Sequence, residues 1–185
     1  MKPYTVIYKL KTFYVRDSRP SRPSKNTEEP AKLTTPAEVA QLARAIFKTL
    51  DADKEHFVVL CLNQRNRLNG YKHVSTGSLT ASLVHPREVF TAALELRAAA
   101  VVFVHNHPSG DPAPSADDVE ITRRLREAGE LLGFRVLDHI ILGRDRHYSF
   151  QDADEREALK RELGILPRSK KSSRPRNRRQ KQTRK

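Results

Sequence analysis

His105-Asn106-His107-Pro108-Ser109-Gly110-Asp111-Pro112-Ala113-Pro114-Ser115-Ala116-Asp117-Asp118 is the stretch on which this sequence turns. An apolar run, Ala99 to Val104, leads into it, and a helical pattern begins near Val119. Two histidines one residue apart on an extended strand share a face, because side chains alternate with period two. Both imidazoles can then reach one ion, with Asp118 as a third, oxygen ligand. Two nitrogens, one carboxylate and an open position describe a catalytic zinc site better than a structural one. Ser115-x-x-Asp118 also reads as a capping box opening a helix. The two readings agree: Ser115 can cap the helix and still present its hydroxyl to the site.

Outward from this stretch, helical and extended patterns alternate. Thr35, Pro36 and Glu38 predict a capped helix start, followed by an apolar stripe of Val39, Leu42, Ala43, Ile46 and Phe47. Phe57–Leu62 predicts a buried strand, Asn63–Gly70 a polar turn region, and Tyr71–Leu79 a second extended segment. Pro86 opens a helix expected to run through Phe90, Ala93, Leu94 and Arg97 into a Val101–His105 strand. A third helix is expected over Ala116–Leu132, stopped by Gly133. Strands over Phe134–Leu142 and Tyr148–Phe150 and a short helix over Asp154–Leu163 complete the pattern. Helices alternating with strands predict an α/β/α three-layer sandwich with a mixed sheet. Residues 1–30 read as an extended arm over Met1–Val15 and a linker over Ser18–Pro30, residues 31–166 as the domain, and 167–185 as a tail.

The chain has 185 residues, enough for one core plus appendages. Its net charge of +13 is unevenly spread. The Pro167–Lys185 tail holds ten Lys/Arg and no Asp/Glu, and residues 1–30 contribute a further +4, so residues 31–166 are close to neutral. A tail of this composition cannot bury enough apolar surface to fold alone. One cysteine, Cys61, excludes an intramolecular disulfide and fits a reducing compartment. No apolar run approaches the roughly 20 residues that span a bilayer, and the N-terminus lacks a secretory pattern. The sequence therefore predicts a cytoplasmic protein with no membrane partner.

His-x-His-Pro, six residues, then Ser-x-x-Asp resembles the JAMM/MPN metalloenzyme signature. The fuller string HNHPSGDPAPSADD, with LVHPREVF before it and LLGFRVLDHIILG after it, resembles the bacterial RadC-type JAB domain over roughly Thr34–Phe150. The resemblance implies a cytidine-deaminase-like α/β/α fold and a zinc ion held by His105, His107 and Asp118. It implies a metallopeptidase-like hydrolase in which Ser115 stabilises the oxyanion and a glutamate acts as general base. Glu55, just before the Phe57–Leu62 strand, matches the family's glutamate position. Glu88 is its competitor, although a carboxylate in a first helical turn is already explained by the helix dipole. The implied substrate is a peptide, isopeptide or other amide.

The remaining histidines read differently. His139 falls in a strand beside the site, in a supporting or packing role. His56, His73, His85 and His147 have no ligand spacing to one another and read as structural or surface residues. Asp111 reads as loop polarity. The tripeptide His105-Asn106-His107 does not indicate an HNH nuclease, whose named residues are dispersed over a longer module. A nucleobase deaminase needs a His-x-Glu and a Cys-x-x-Cys that this sequence lacks. A second reading stays open: a DNA-associated accessory protein that binds nucleic acid through the Pro167–Lys185 tail, its metal site structural or vestigial. Oligomeric state is not legible.

Overall fold

His56–Leu62 (β1) is buried at every position, the pattern of a strand covered on both faces. The computed structural model describes residues 30–77 and 84–162. Around β1 the chain forms α1 (Pro36–Phe47), β2 (Leu68–Thr76), α2 (Pro86–Glu95), β3 (Ala100–Asn106), α3 (Ala116–Leu132), β4 (Arg135–Leu142), β5 (His147–Ser149) and α4 (Phe150–Glu162). The strands make one sheet in the order β2-β1-β3-β4-β5. β1 pairs antiparallel with β2 and β3, β3 parallel with β4, and β4 antiparallel with β5. This is the mixed sheet expected. The chain divides at Asp152/Ala153 into two compact units. The first carries everything discussed below; of the second, residues 153–162 continue α4.

Alternation along the central strands separates two apolar layers. Val58, Leu60 and Leu62 of β1 and Val102 and Val104 of β3 face α1 through Val39, Ala43 and Ile46. Phe57, Val59, Cys61, Val101 and Phe103 face the other way, onto Val89, Phe90 and Ala93 of α2 and Ile121 and Leu125 of α3. Burying one such large side chain contributes roughly 1.5–3 kcal/mol, more than the roughly 1 kcal/mol of a helix N-cap. The two layers therefore hold the sheet, while the caps set where helices start. Thr35 and Glu38 form the anticipated capping box on α1, and Gly133 ends α3 with a φ of 78°.

Several boundaries differ from those the sequence suggested. The polar turn is shorter, since β2 begins at Leu68 and pairs with Leu62. Helix α2 stops at Glu95, with Leu94 64% exposed and Arg97 at a φ of 48° outside the helix. The chain there must turn sharply into β3, and the Ala98 amide bonds back to the Ala93 carbonyl. Phe150 opens α4 instead of ending β5, so the last helix starts four residues earlier than expected. The N-terminal arm, most of the linker and the basic tail lie outside the described residues. Among the described residues no helix is long and apolar enough to cross a membrane.

The loop between β3 and α3 is seated on the β4–β5 turn. The Arg144 amide donates to the Gly110 carbonyl, and Arg44 of α1 donates to the carbonyls of Gly143, Arg144 and Arg146 at 2.8–2.9 Å. Gly143 is the point of closest approach: a Cβ there would lie 2.5 Å from the Gly110 carbonyl oxygen and 2.7 Å from Pro112 Cδ. Backbone cannot yield as a flexible side chain can. Gly143→Ala is therefore expected to lower stability by about 1–3 kcal/mol, read by urea denaturation; a neutral effect would show that the loop is not held by this contact.

Candidate metal centre

Strand β3 delivers His105 and α3 delivers Asp118. His105 is fully buried in the layer under α2 and α3, stacked beside Phe57, and Asp118 is 2% exposed in the first turn of α3. His107 follows the strand, where its amide still bonds to the Leu142 carbonyl. The three side chains converge. His105 Nε2 is 3.0 Å from His107 Nε2 and 3.1 Å from Asp118 Oδ1, and His107 Nε2 is 3.4 Å from Asp118 Oδ2. A tetrahedral ion with bonds of about 2.0–2.1 Å keeps its ligands about 3.3–3.4 Å apart. The observed spacing is close to that requirement, and these residues form a possible metal-binding triad.

Proton placement supports the same conclusion without any ion being assumed. Thr122 Oγ donates to the Asp118 carbonyl, so it must accept from His139 Nδ1, 2.6 Å away. His139 then has a bare Nε2, which accepts from His105 Nδ1 at 2.8 Å. That leaves His105 Nε2 without a proton and facing the site. Likewise His107 Nδ1 donates to the Asp111 carbonyl at 2.8 Å, which turns Nε2 inward, bare whenever the ring is neutral. In that state two lone pairs meet a carboxylate, an arrangement that a divalent cation satisfies. Imidazole ligands are commonly oriented by such outer partners.

The surroundings tune these protonation states. Burial, with little to offset it, keeps His139 well below the usual imidazole range; its ring lies among Phe57, Phe103 and Phe150. Burial also lowers His105, against the pull of Asp118. The facing Asp118 carboxylate raises His107, so that in the metal-free chain a proton on its Nε2 can stand in for the ion. For Asp118 burial alone would raise the carboxyl, but the facing imidazoles of His105 and His107 and the hydrogen bonds from Ser115 outweigh it and hold it far below the carboxylate range. The Ser115 amide and hydroxyl both donate to Asp118 Oδ2, at 2.7 and 2.6 Å, and Ser115 Oγ accepts from the Asp118 amide at 3.1 Å. The capping box and the ligand carboxylate are one structure.

His107 and Asp118 of the triad line a cleft of about 500 Å³, together with Glu55, Ser109, Ser115 and Asp117 among others. The structure thus brings Glu55 and Ser115 to the same cleft as the triad. Glu88 is elsewhere, in the first turn of α2 with the Arg87 guanidinium 3.3 Å away. Glu55 is held by a residue that sequence reading passed over. Asn106 Oδ1 accepts from the His56 amide at 2.8 Å and Asn106 Nδ2 donates to the Lys54 carbonyl at 2.9 Å. The middle residue of His-x-His therefore grips the backbone on either side of Glu55. Thr122 was also missed. Its signal was available: residue 122 lies one helical turn after Asp118, on the same face.

Residues 33–156 match the profile of the RadC-like JAB domain. The chain belongs to the RadC-like JAB domain family. A UPF0758 protein of Geobacter sulfurreducens is 53% identical over 122 residues, covering 66% of this chain and 52% of that protein. One from Caldanaerobacter subterraneus is 49% identical over 120 residues, 65% and 51% respectively. One from Syntrophotalea carbinolica is 57% identical over 102 residues, 55% and 45%. The chain spans about half the length of the curated relatives it matches. The RadC-like domain coincides with the sheet, the three helices that flank it, and the candidate metal centre.

Two outcomes are expected of this centre. Thr122→Val keeps shape but removes the acceptor for His139, freeing the tautomers of both histidines. Zinc affinity measured by competition with a chromophoric chelator should fall about 10–100-fold, and unchanged affinity would count against the relay. In the metal-free chain, Asp118 contributes stability that is complete above the ordinary carboxyl range near about pH 4 and is withdrawn as pH falls toward its lowered folded value. Asp118→Asn should therefore flatten the acid limb of stability, read by urea denaturation at a series of pH values; an unaltered limb contradicts the assignment.

Proposed function

We propose that the RadC-like domain of this chain is a zinc-dependent hydrolase acting on an amide, peptide or isopeptide bond. The observation that carries this reading is the convergence of two imidazole nitrogens and a carboxylate beside a cleft whose wall also holds Glu55. The donor set of His105, His107 and Asp118, two nitrogens and one oxygen, would suit zinc. Zinc held there would supply a Lewis acid and a water acidic enough to attack near neutral pH.

The chain's own residues do the rest. Glu55 takes the proton from the attacking water and returns it to the departing nitrogen, since an amine leaves as a neutral group and not as an anion. Ser115 presents a hydroxyl that can turn from Asp118 Oδ2 to the developing oxyanion. A single donor of this kind is worth about 10²–10³-fold in rate. Asn106 positions Glu55 through the backbone, and the His139–Thr122 relay orients His105. A reducing cytoplasmic setting accompanies this reading. Cys61 is a buried free thiol that burial pushes up to about 12, too high for a reactive thiolate. The nucleic-acid reading rests on the Pro167–Lys185 tail alone.

The test compares Glu55→Gln and Glu88→Gln on a panel of fluorogenic peptide and isopeptide substrates, with zinc content measured in each preparation. Glu55→Gln should retain its zinc and lose about 10²–10⁴-fold in rate, while Glu88→Gln keeps full activity. Full activity in the Glu55 variant rejects Glu55 as the base. A zinc-loaded chain that cleaves nothing, and loses nucleic-acid binding on truncation after Leu166, supports the accessory reading instead.

A further inference from the structure

A second set of ligand atoms lies on the opposite face of the sheet from His105. His56 of β1 is 3% exposed, on the side that faces α1, with its ring edge-on to Phe47. Its Nδ1 lies 3.1 Å from His73 Nε2 and 3.2 Å from Thr76 Oγ, and the last two atoms are themselves 3.2 Å apart. Period-two alternation would put His73 and Thr76 on opposite faces of β2. A register shift intervenes: Phe57 pairs with Ser75 but Val58 pairs with His73, so one extra residue, Val74, enters β2. That bulge restores both side chains to the His56 face, and bulges commonly re-aim side chains next to functional sites.

His56 is oriented as His107 is in the first centre. His56 Nε2 donates to the Asp51 carbonyl at 2.7 Å, which leaves Nδ1 bare, just as His107 Nδ1 donates to the Asp111 carbonyl. That lone pair points at His73 Nε2, 3.1 Å away, beside the Thr76 hydroxyl oxygen. In the metal-free chain His73 Nε2–H donates to His56 Nδ1; with the proton moved to His73 Nδ1, the same Nε2 is free for an ion.

We propose that His56 Nδ1, His73 Nε2 and Thr76 Oγ form a second site for a divalent transition-metal ion of the zinc class, separate from the His105 centre. The triangle's edges of 3.1–3.2 Å approach the roughly 3.3–3.4 Å separation of tetrahedral ligands, and imidazole suits zinc, copper(II) and nickel(II). His73 and Thr76 are exposed, so an ion can enter from solvent and keep water as its remaining ligand. An ion there ties β1 to the edge strand β2 immediately after Glu55.

The full chain, freed of metal and dialysed to equilibrium against buffered Zn²⁺, should hold two zinc ions per chain by elemental analysis. His73→Ala, a change at an exposed position, should hold one, and so should His105→Ala; the double variant should hold none. Thr76→Val should weaken only the second equivalent. One zinc per wild-type chain with His73→Ala unchanged overturns the proposal, as does a second equivalent that survives His73→Ala. Since His105→Ala reports the first centre separately, failure of one site is distinguishable from failure of the other.

Discussion

A buried imidazole offers one nitrogen to an ion only while the other keeps its proton, and His139 is what keeps it in this domain. Its ring is enclosed by Phe57, Phe103 and Phe150, so it stays neutral and has just two polar tasks. One is to accept from His105; the other is to donate to Thr122, which passes its own proton to the Asp118 backbone. The relay links two of the three ligands through the protein interior. It also links β3, β4 and α3, the elements around the parallel part of the sheet. A polar network in so apolar a layer is costly if incomplete, and this one is complete.

The same economy of structure appears around the loop that carries the motif. Ser115 and Asp118 satisfy orphan amides at the start of α3 and shape the ligand carboxylate with the same atoms. Asn106 continues the β3 backbone and clamps Lys54 and His56 around Glu55. Arg44 reaches from α1 to the β4–β5 turn on which Gly110 rests. The local geometry of the centre thus depends on contacts from both faces of the sheet. That explains how an exposed cleft can hold a preorganised set of ligands.

Much of this was legible in the sequence. Period-two alternation put His105 and His107 on one face, an apolar run marked β1, and Thr35, Ser115, Pro86 and Gly133 marked helix ends through capping bonds and backbone preference that are purely local. The triad followed from spacing. What escaped depended on contacts between residues far apart in the chain. Nothing local showed that Asn106 would reach Lys54, or that Thr122 would meet His139 across α3 and β4. His56 and His73 read as unrelated because 17 residues separate them and a bulge, invisible to any periodic pattern, decides which way His73 points. The end of α2 was misjudged for a related reason: Leu94 looks like a core residue, but α2 buries Val89, Phe90, Ala92 and Ala93 and leaves Leu94 exposed. Membership of the RadC-like JAB domain family gives the fold, and the convergence of His105, His107 and Asp118 gives the possible metal site; the chemistry proposed for it joins that geometry to the roles the family resemblance implies.

The central claim is that His105, His107 and Asp118 hold a metal ion through nitrogens whose tautomers the protein has already set. Anomalous diffraction from crystals of the zinc-loaded chain, recorded on either side of the zinc edge, tests it most directly. The account predicts a peak about 2.0–2.2 Å from His105 Nε2, His107 Nε2 and a carboxylate oxygen of Asp118, with His139 still bonded to His105 Nδ1. A zinc-loaded crystal with no peak there, or with the ion on His105 Nδ1 and His139 displaced, would contradict it.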